Sequence, residues 1–411
     1  MTTTKQSSGL RTAGNHPYSR RMRLIMALCL LEVVPAIILI LFYLNINLTP
    51  LININQLVIF SGIVALTRGI PRAALPFIIF TAALLFISII KSFVLTNNNN
   101  YNFQLSAVFP YYLSLIMPAL IINAVFSQKD LSGAEVVKDL RWFSKWFMMI
   151  ITPILVLYAI LNLTGRIVYF GFGVNFHYVT PYFLNRGGMV MVIATLILVS
   201  GKRAVLINFL IQLSLFLMGK FKRSPIPIIL AVLIFGVGIA VSWNSLEFFL
   251  RRFALMIDAL TNADISKGLL GLANSYEAIV LFGGRLEEIV GIFEYFAKHP
   301  AQIWFGSPPG ANFVWRVDFS DFETIKSFAH LTWLGYFFRF GLIPTAILII
   351  YLLYRLVTDW DTKNPIWLVF VGILSSATFG GNLFYSPVAW TMIALFLKFG
   401  PVITQEFSAK K

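Results

Sequence analysis

Residues 24–44 read LIMALCLLEVVPAIILILFYL, an apolar run of 21 residues that holds one charged side chain, Glu32. A helix of about 20 apolar residues is long enough to cross the hydrocarbon core of a bilayer. The run is too long for the apolar part of a signal peptide, and no small-residue cleavage site follows it. We therefore expect it to remain as a membrane helix. Glu32 is isolated within it, because Arg23 lies too far along the same helix to pair with it.

The rest of the chain repeats this pattern. It is 58% hydrophobic and 12% charged, and its mean hydropathy is +0.81, values that exclude a water-soluble globule of this length. The sequence predicts an all-α polytopic membrane protein. The apolar runs lie at 24–44, 51–67, 73–90, 105–126, 146–163, 187–200, 204–218, 226–242, 331–356, 365–380 and 385–400.

The formal net charge of +15 comes from basic residues that flank the apolar runs. Such flanks set membrane orientation and contact lipid headgroups, so we expect a bilayer and no nucleic acid as partner. The amino-terminal tail and the 127–145 loop are rich in these residues and are predicted to be cytoplasmic. The loop holds Lys129, Lys138, Arg141 and Lys145.

Counting spans from the two ends of the chain gives opposite answers unless one further crossing exists. The aromatic, glycine-rich segment 166–184 is the best candidate, either as a span or as a broken segment buried in protein. If this segment crosses the membrane, the count is twelve, Arg186 is cytoplasmic, and Lys202 and Arg203 are external. If the missing crossing lies elsewhere, these sides reverse. The predicted parts are a cytoplasmic tail (1–23), membrane helices (24–242), a large external loop (243–330), membrane helices (331–400) and a cytoplasmic tail (401–411).

The external loop is predicted to be ordered. Between Gly284 and Lys298, apolar residues recur at helical spacing, and Pro300 ends the pattern. The apolar positions are Leu286, Ile289, Ile292, Phe293 and Phe296. The polar positions Glu287, Glu288, Glu294 and Lys298 are expected largely on the other face.

Two residues of the loop are candidates for chemistry. Arg285 begins the predicted helix and is either a solvated arginine or a bidentate ligand for phosphate oxygens. His330 precedes the next apolar run and either extends to the interface or titrates near neutral pH, where it could bind phosphate or activate a hydroxyl.

Three arginines near apolar runs are further candidates as phosphate ligands or as charges that set topology. They are Arg203, which follows Lys202 in a short turn, Arg186 and Arg339. No Walker loop, zinc-ligand spacing or nucleophile elbow occurs in the sequence. An ATP-driven transporter, a zinc enzyme and a serine hydrolase are therefore unsupported.

Three motifs follow one another in this chain: the turn 200–204, the stretch from Gly284-Arg285 to 306–310, and His330 with Gly341 downstream. On these motifs, over residues 146–400, the chain resembles the bacterial O-antigen polymerase and ligase superfamily, the Wzy-type and WaaL-type membrane glycosyltransferases. The turn 200–204 (SGKRA) resembles the family's Ser/Thr-Gly-Ser-Arg-Gly turn, with Lys202 in place of a serine. Gly284-Arg285 with the helix after it, His299-Pro300 and 306–310 (GSPPG) resemble the large external loop of the family. His330 with Gly341 downstream resembles its histidine and glycine.

This resemblance implies a GT-C-like fold and a metal-independent inverting glycosyltransferase without a cofactor. Its donor would be a glycan on undecaprenyl pyrophosphate at the periplasmic face of the bacterial inner membrane. Arg203 and Arg285 would hold the pyrophosphate, with Lys202, Arg186 and Arg339 as further ligands, and His330 would act on the acceptor hydroxyl or assist in binding phosphate. A chain-length regulator and a flippase are possible protein partners.

Within the superfamily, the residues after His330 favour a polymerase of O-antigen, capsule or exopolysaccharide repeat units. Ligases tend to have Asn, Ser or Gln after the histidine and Gly-x-x-Gly-Thr-Thr downstream, whereas here Leu331 follows the histidine and Pro344 replaces the second glycine. An O-antigen ligase that transfers glycan to lipid A-core stays an alternative. A lipid-linked oligosaccharide flippase is the second alternative, although no inverted repeat is evident.

Overall fold

The computed structural model describes residues 17–35, 37–38, 49–95, 105–128, 132–163, 175–200, 203–220, 285–316, 323–326, 331–379 and 386–408. The helices are α1 (Pro17–Leu30), α2 (Thr49–Ala65), α3 (Leu75–Leu95), α4 (Leu105–Phe126), α5 (Gly133–Leu163), α6 (Gly187–Ser200), α7 (Arg203–Lys220), α8 (Arg285–Lys298), α9 (Gln302–Phe305), α10 (Thr332–Phe340), α11 (Leu342–Thr358), α12 (Pro365–Phe379) and α13 (Pro387–Ser408). Strands β1 (Phe313–Arg316) and β2 (Glu323–Lys326) form an antiparallel pair.

The protein is a helical membrane protein. In the described part of the chain, the stretches Arg72–Ser92, Val108–Phe126 and Gly133–Tyr158 are helices long and apolar enough to cross a bilayer. Among the same described residues, six further apolar helices are shorter. The number of twelve spans and the division of the chain into tails, loop and membrane parts stay predictions.

Helix α5 begins inside the segment that the sequence analysis treats as a loop, so that interpretation of 127–145 is wrong for residues 133–145. The helix starts there because Ser132 and Glu135 form a capping box. The Glu135 N–H donates to Ser132 Oγ at 3.3 Å, and the Ser132 N–H donates back to Glu135 Oε2 at 3.0 Å. The cationic side chains of this region therefore lie on the first turns of a helix.

One end of the bundle, which we call the Lys398 end, is held together by polar contacts between distant segments. The Lys398 ammonium donates to the carbonyl oxygens of Val125 and Phe126 at the end of α4, at 3.1 and 3.2 Å. Arg23 Nε donates to Asp139 Oδ1 at 2.8 Å, joining α1 to α5. These contacts place the starts of α1 and α5 and the ends of α4 and α13 at the same level.

The opposite end, the Gly341 end, joins the external loop to the bundle. Trp333 Nε1 of α10 donates to Thr378 Oγ1 of α12 at 3.2 Å. The Lys91 ammonium near the end of α3 donates to the backbone carbonyl of Phe305 in α9. The carboxyl end of α12 therefore lies at the start of α10, and the carboxyl end of α3 lies at α9, which packs on Gly341 after the end of α10.

Residues 175–184 form two short 3-10 turns, Phe176–Tyr178 and Thr180–Tyr182, rather than a continuous helix. The turns are buried against α7 and α12, where Gln212 Nε2 donates to the carbonyls of His177 and Leu368, both at 2.9 Å. This agrees with the broken-segment alternative, in which surrounding protein satisfies the backbone. Residues 164–174 lie outside the described part.

The apolar run 331–356 is not one helix, because Gly341 separates α10 from α11. Gly341 has φ +85° and ψ −179°, a conformation open almost only to glycine. A Cβ on Gly341 would collide with the backbone of Phe305 and Gly306. Gly306 has nearly the same backbone angles, so two glycines allow the loop to approach the helix joint closely.

The external loop has its own small core. Helix α8 has the predicted bounds to within one residue, and Pro300 follows its end. Its apolar face packs on β1 and on one side of α10, and the Ser307 N–H donates to the Phe338 carbonyl at 2.8 Å. The buried members of this core are Ile292, Tyr295, Phe296, Ala311, Phe313 and Phe338. Through Phe338, α10 belongs to the loop as well as to the bundle.

Candidate functional site

An open apolar groove of about 550 Å³ lies where the external loop meets the bundle at the Gly341 end. Helices α8, α10, α11 and α12 form its walls. Along α11 it extends from Leu342 to Ile350, about 12 Å at the helical rise per residue. The lining residues are Ile289, Phe293, Leu331, Trp333, Leu334, Phe337, Leu342, Thr345, Ala346, Ile349, Ile350, Ala377 and Thr378. The polar groups among them are the two threonine hydroxyls and the Trp333 indole N–H, which is donated to Thr378.

Arg285 lies one turn of α8 before Ile289, which lines this groove, and is not itself a lining residue. Residues four apart lie on one side of a helix, so Arg285, Ile289 and Phe293 form a row, and the second and third line the groove. Arg285 Nη1 lies 3.8 Å from Glu288 Oε1, and the arginine side chain is 26% exposed. The guanidinium is thus held one turn before the lining residues and is still accessible.

The acidic residues of the first turn of α8 are buried, contrary to the prediction from the sequence. Glu287 and Glu288 were expected on a solvated face, but they are 6% and 0% exposed. Glu288 lies on the same side of the helix as Ile292 and Tyr295, which are core residues, and its carboxylate contacts Arg285. Hydropathy alone assigns a glutamate to solvent. The Glu288 carboxylate can be buried because Arg285, one turn earlier, pairs with it, and a helical wheel does not show such a pair.

His330 lies outside the described residues. Leu331, the next residue, has an extended backbone and lines the groove. The chain therefore reaches the groove wall one residue after the histidine. The role of His330 stays a prediction.

Lys202 also lies outside the described part, and for Arg203 the structure describes the backbone alone. Arg203 is the first residue of α7, which packs along α12, and Ser375 Oγ donates to Asn208 Oδ1 at 2.5 Å. Arg203 lies five residues before Asn208, and Thr378 of the groove lies three residues after Ser375. The start of α7 is therefore at the same end of the bundle as the groove.

Arg186 is not brought to the groove. It is exposed just before α6, which is antiparallel to α7 and spans 14 residues, about 21 Å. The far end of α7 lies at the Lys398 end, because Gly219 packs on Thr362 and the nearby Asn364 Nδ2 donates to the Gly400 carbonyl at 3.3 Å. Arg186 and Arg203 are thus at opposite ends, as both interpretations of 166–184 predict, and they cannot share one phosphate.

Arg339 lies on the opposite side of α10 from the groove. The guanidinium is buried, with 2% of the residue exposed, and Nη1 donates to Ser114 Oγ of α4 at 3.0 Å. The Tyr111 hydroxyl donates to the Arg339 carbonyl at 3.1 Å. The structure therefore directs Arg339 towards α4, away from the row that contains Arg285.

A buried polar cluster around Glu32 is missed by the sequence analysis, which treats this carboxylate as isolated. Glu32 Oε1 accepts from Asn175 Nδ2 and from Ser386 Oγ, both at 3.2 Å. Ser386 Oγ also accepts the Ala389 N–H at 3.1 Å, so its only proton goes to Glu32 and the Tyr178 hydroxyl, 3.3 Å away, is the donor to Ser386. The serine before Pro387 is a readable helix-capping signal, but nothing in the sequence pairs it with Glu32.

His299 follows the last residue of α8, and its N–H donates to the carbonyls of Tyr295 and Phe296, both at 3.1 Å. Burial lowers the pKa of His299, and the neighbouring Lys298 lowers it further. The imidazole is therefore biased towards its neutral form. It packs on the Tyr295 ring at 4.8 Å between centroids, which is a structural role.

Comparisons with family models, with curated proteins and with solved structures return no match. The case for a function therefore depends on the groove, on the helix ends that surround it and on the resemblance of the motifs. Of the arginines named from the sequence, Arg285 lies beside the groove and Arg203 begins a helix at the same end of the bundle. Arg186 and Arg339 lie elsewhere.

Proposed function

We propose that the protein is a glycosyltransferase that polymerises undecaprenyl-pyrophosphate-linked oligosaccharide repeat units into O-antigen, capsule or exopolysaccharide. It would act at the periplasmic face of the bacterial inner membrane. The observation that carries the proposal is the apolar groove with Arg285 beside it. A lipid-linked pyrophosphate combines a long hydrocarbon chain with a strongly anionic head, and the groove and the guanidinium match these two parts.

The hydrocarbon part of the donor fits the groove by chemistry. A polyprenyl chain has no hydrogen-bonding group, and the wall offers almost none. Burial of each methylene contributes about 0.8 kcal/mol relative to water, but the free chain already lies in lipid. The groove therefore gives orientation more than affinity, and it directs the head group towards the first turn of α8.

The anionic head fits Arg285. A planar guanidinium can donate two parallel hydrogen bonds to phosphate oxygens, and the first turn of α8 adds the positive end of the helix dipole. Glu288 limits the freedom of the arginine without covering it. Arg203, at the start of another helix at this end, is the second proposed phosphate ligand, with Lys202 as a helper.

The proposed reaction is a single displacement. An acceptor sugar hydroxyl forms a bond to the anomeric carbon of the donor while the bond from that carbon to the pyrophosphate oxygen breaks. Negative charge develops on the leaving pyrophosphate, where the arginines stabilise it most in the transition state. The hydroxyl proton passes to His330 if that residue is the base, or else to the departing phosphate.

The first experiment measures glycan chain length in cells that lack the native gene and carry one variant each. We expect Arg285→Ala and His330→Ala to abolish chain extension. Arg285→Lys should retain little activity, because lysine keeps the charge but cannot donate two parallel hydrogen bonds to one phosphate. Lys298→Ala is the matched control, since it removes an exposed cation from the last turn of the same helix. It should give polymer of normal length.

The alternatives predict other results. Near-normal polymer from both Arg285→Ala and His330→Ala, with normal insertion, would contradict the proposal. A ligase would leave long glycan unattached in the deletion strain, whereas a polymerase would leave single repeat units. Purified protein in vesicles with labelled lipid-linked repeat units separates the transporter, because a transporter changes the side of the label without lengthening the glycan.

A further inference from the structure

A second apolar space lies on a different side of α11 from the groove. It is narrow, since the centre of a water molecule could occupy only about 50 Å³ of it, and it is bounded by α3, α4, α10, α11 and α13. The rows Pro344, Leu348 and Leu352 on α11 and Trp390, Ile393 and Leu397 on α13 run along it. The rows span eight and seven helical steps, so the cavity is about 10 to 12 Å long and parallel to the helices.

The cavity is polar at one end. Helix α4 enters from the Gly341 end, and Ser114 is the first of its residues to line the cavity. Trp390 is the first lining residue of α13, and Tyr336 of α10 packs on it at 6.5 Å between ring centroids. All three polar groups therefore lie at the Gly341 end. Thr81 on α3 is the one polar side chain of the lining that lies deeper.

The indole of Trp390 has an unused hydrogen-bond donor. The residue is 4% exposed, and its Nε1–H has no acceptor within the described part of the chain. A buried donor without a partner costs about 1 to 3 kcal/mol, so an acceptor from a ligand would stabilise this arrangement. A ligand of this cavity should therefore carry an oxygen acceptor at the level of Trp390.

Two cations lie near the same end. The Arg339 guanidinium donates to Ser114 Oγ of the cavity wall. Lys91 lies seven residues beyond Leu84, the outermost lining residue of α3, at the level of Phe305. An anionic head group above the cavity would meet positive charge on two sides.

We propose that this cavity binds one acyl chain of an anionic membrane phospholipid, with the ester carbonyl accepting the Trp390 indole N–H and the phosphate lying towards Arg339 and Lys91. A polyprenyl chain fits the apolar part equally well but has no carbonyl for the indole. The free donor therefore selects an acyl ester. This site is separate from the groove and does not depend on the proposed transferase activity.

Native mass spectrometry of the purified full-length protein tests the site, with bound lipid released and identified in the gas phase. The wild-type protein should retain one phospholipid through mild detergent. Ala119→Phe places a ring in the middle of the cavity and should remove it. Trp390→Phe keeps the ring but deletes the donor, and occupancy should fall at least threefold. Ile347→Phe, on an exposed side of α11, is the control and should retain the lipid.

Three results would overturn the proposal: a wild-type protein without phospholipid, Ala119→Phe protein with undiminished phospholipid, or a polyprenyl phosphate as the species that Ala119→Phe displaces. If Ala119→Phe does not fold, Trp390→Phe decides alone, and unchanged occupancy in that variant contradicts the site. Glycan transfer does not enter these readouts, so they are independent of the transferase experiment.

Discussion

The groove and the cavity on the two sides of α11 have similar apolar walls and differ at their polar ends. The groove is open and has Arg285 on the adjoining turn of α8. The cavity lies inside the bundle and ends at Ser114 and at the Trp390 indole N–H, which has no acceptor among the described residues. Apolar walls select hydrocarbon of any kind, so the polar end decides which lipid each space takes. On that basis one space suits a pyrophosphate and the other an acyl ester.

Both spaces depend on the joint between α10 and α11. Phe337 lines the groove, and Phe340 lines the cavity. Gly341 follows both and allows the chain to turn while Gly306 of the loop packs against it. A change at the joint should therefore affect the two spaces together, whereas changes in either wall should separate them.

Gly341→Ala should have the largest effect. The substitution combines a backbone conformation that costs about 1 to 3 kcal/mol for a residue other than glycine with a collision against Phe305 and Gly306. We expect a loss of about 3 kcal/mol or more in stability, together with loss of glycan extension and of retained phospholipid. Thermal unfolding in detergent, chain-length analysis and native mass spectrometry measure the three effects.

Gly69→Ala is the matched control for backbone strain. Gly69 also has a positive φ, +67°, but a Cβ there meets nothing within 4 Å. The change should cost about 1 kcal/mol and leave both ligands in place. If Gly341→Ala is no worse than Gly69→Ala, the close approach of loop and joint is not what holds the two spaces open.

Ala346→Phe should separate the two spaces. Ala346 lines the groove on the side of α11 that does not face the cavity, and a phenyl ring there would occupy the path of a polyprenyl chain. Glycan extension should fall at least tenfold while the phospholipid stays bound. Equal loss of both would mean that the groove and the cavity are not independent.

The sequence predicts the parts of this site that local periodicity controls. Apolar residues at helical spacing and Pro300 are sufficient for α8, and they place Arg285 in its first turn. The position of Arg203 at a helix start follows from two adjacent apolar runs. These features depend on neighbours within one or two turns of the chain, so one sequence contains the necessary information.

Contacts between distant segments were not predictable in the same way. The run 331–356 is apolar throughout, and the break at Gly341 arises because Gly306, 35 residues earlier in the chain, packs against it. Glu32 meets Asn175 and Ser386 for a similar reason. The hairpin of β1 and β2 was also missed, since each strand has four residues, too few for a period of two to be distinctive.

Ser132→Ala should have the smallest effect and tests whether the responses of the two spaces are specific. It removes the capping box of α5 at the Lys398 end, far from both polar ends, and should cost about 1 kcal/mol of stability. Because the loss is remote, glycan extension and phospholipid retention should change by similar small factors. Ser132→Asp preserves a capping oxygen and should restore the melting temperature. If Ser132→Ala loses only glycan extension or only the phospholipid, mild destabilisation alone is enough to affect one space and not the other. The Ala346→Phe result would then no longer distinguish a blocked groove from a weakened fold.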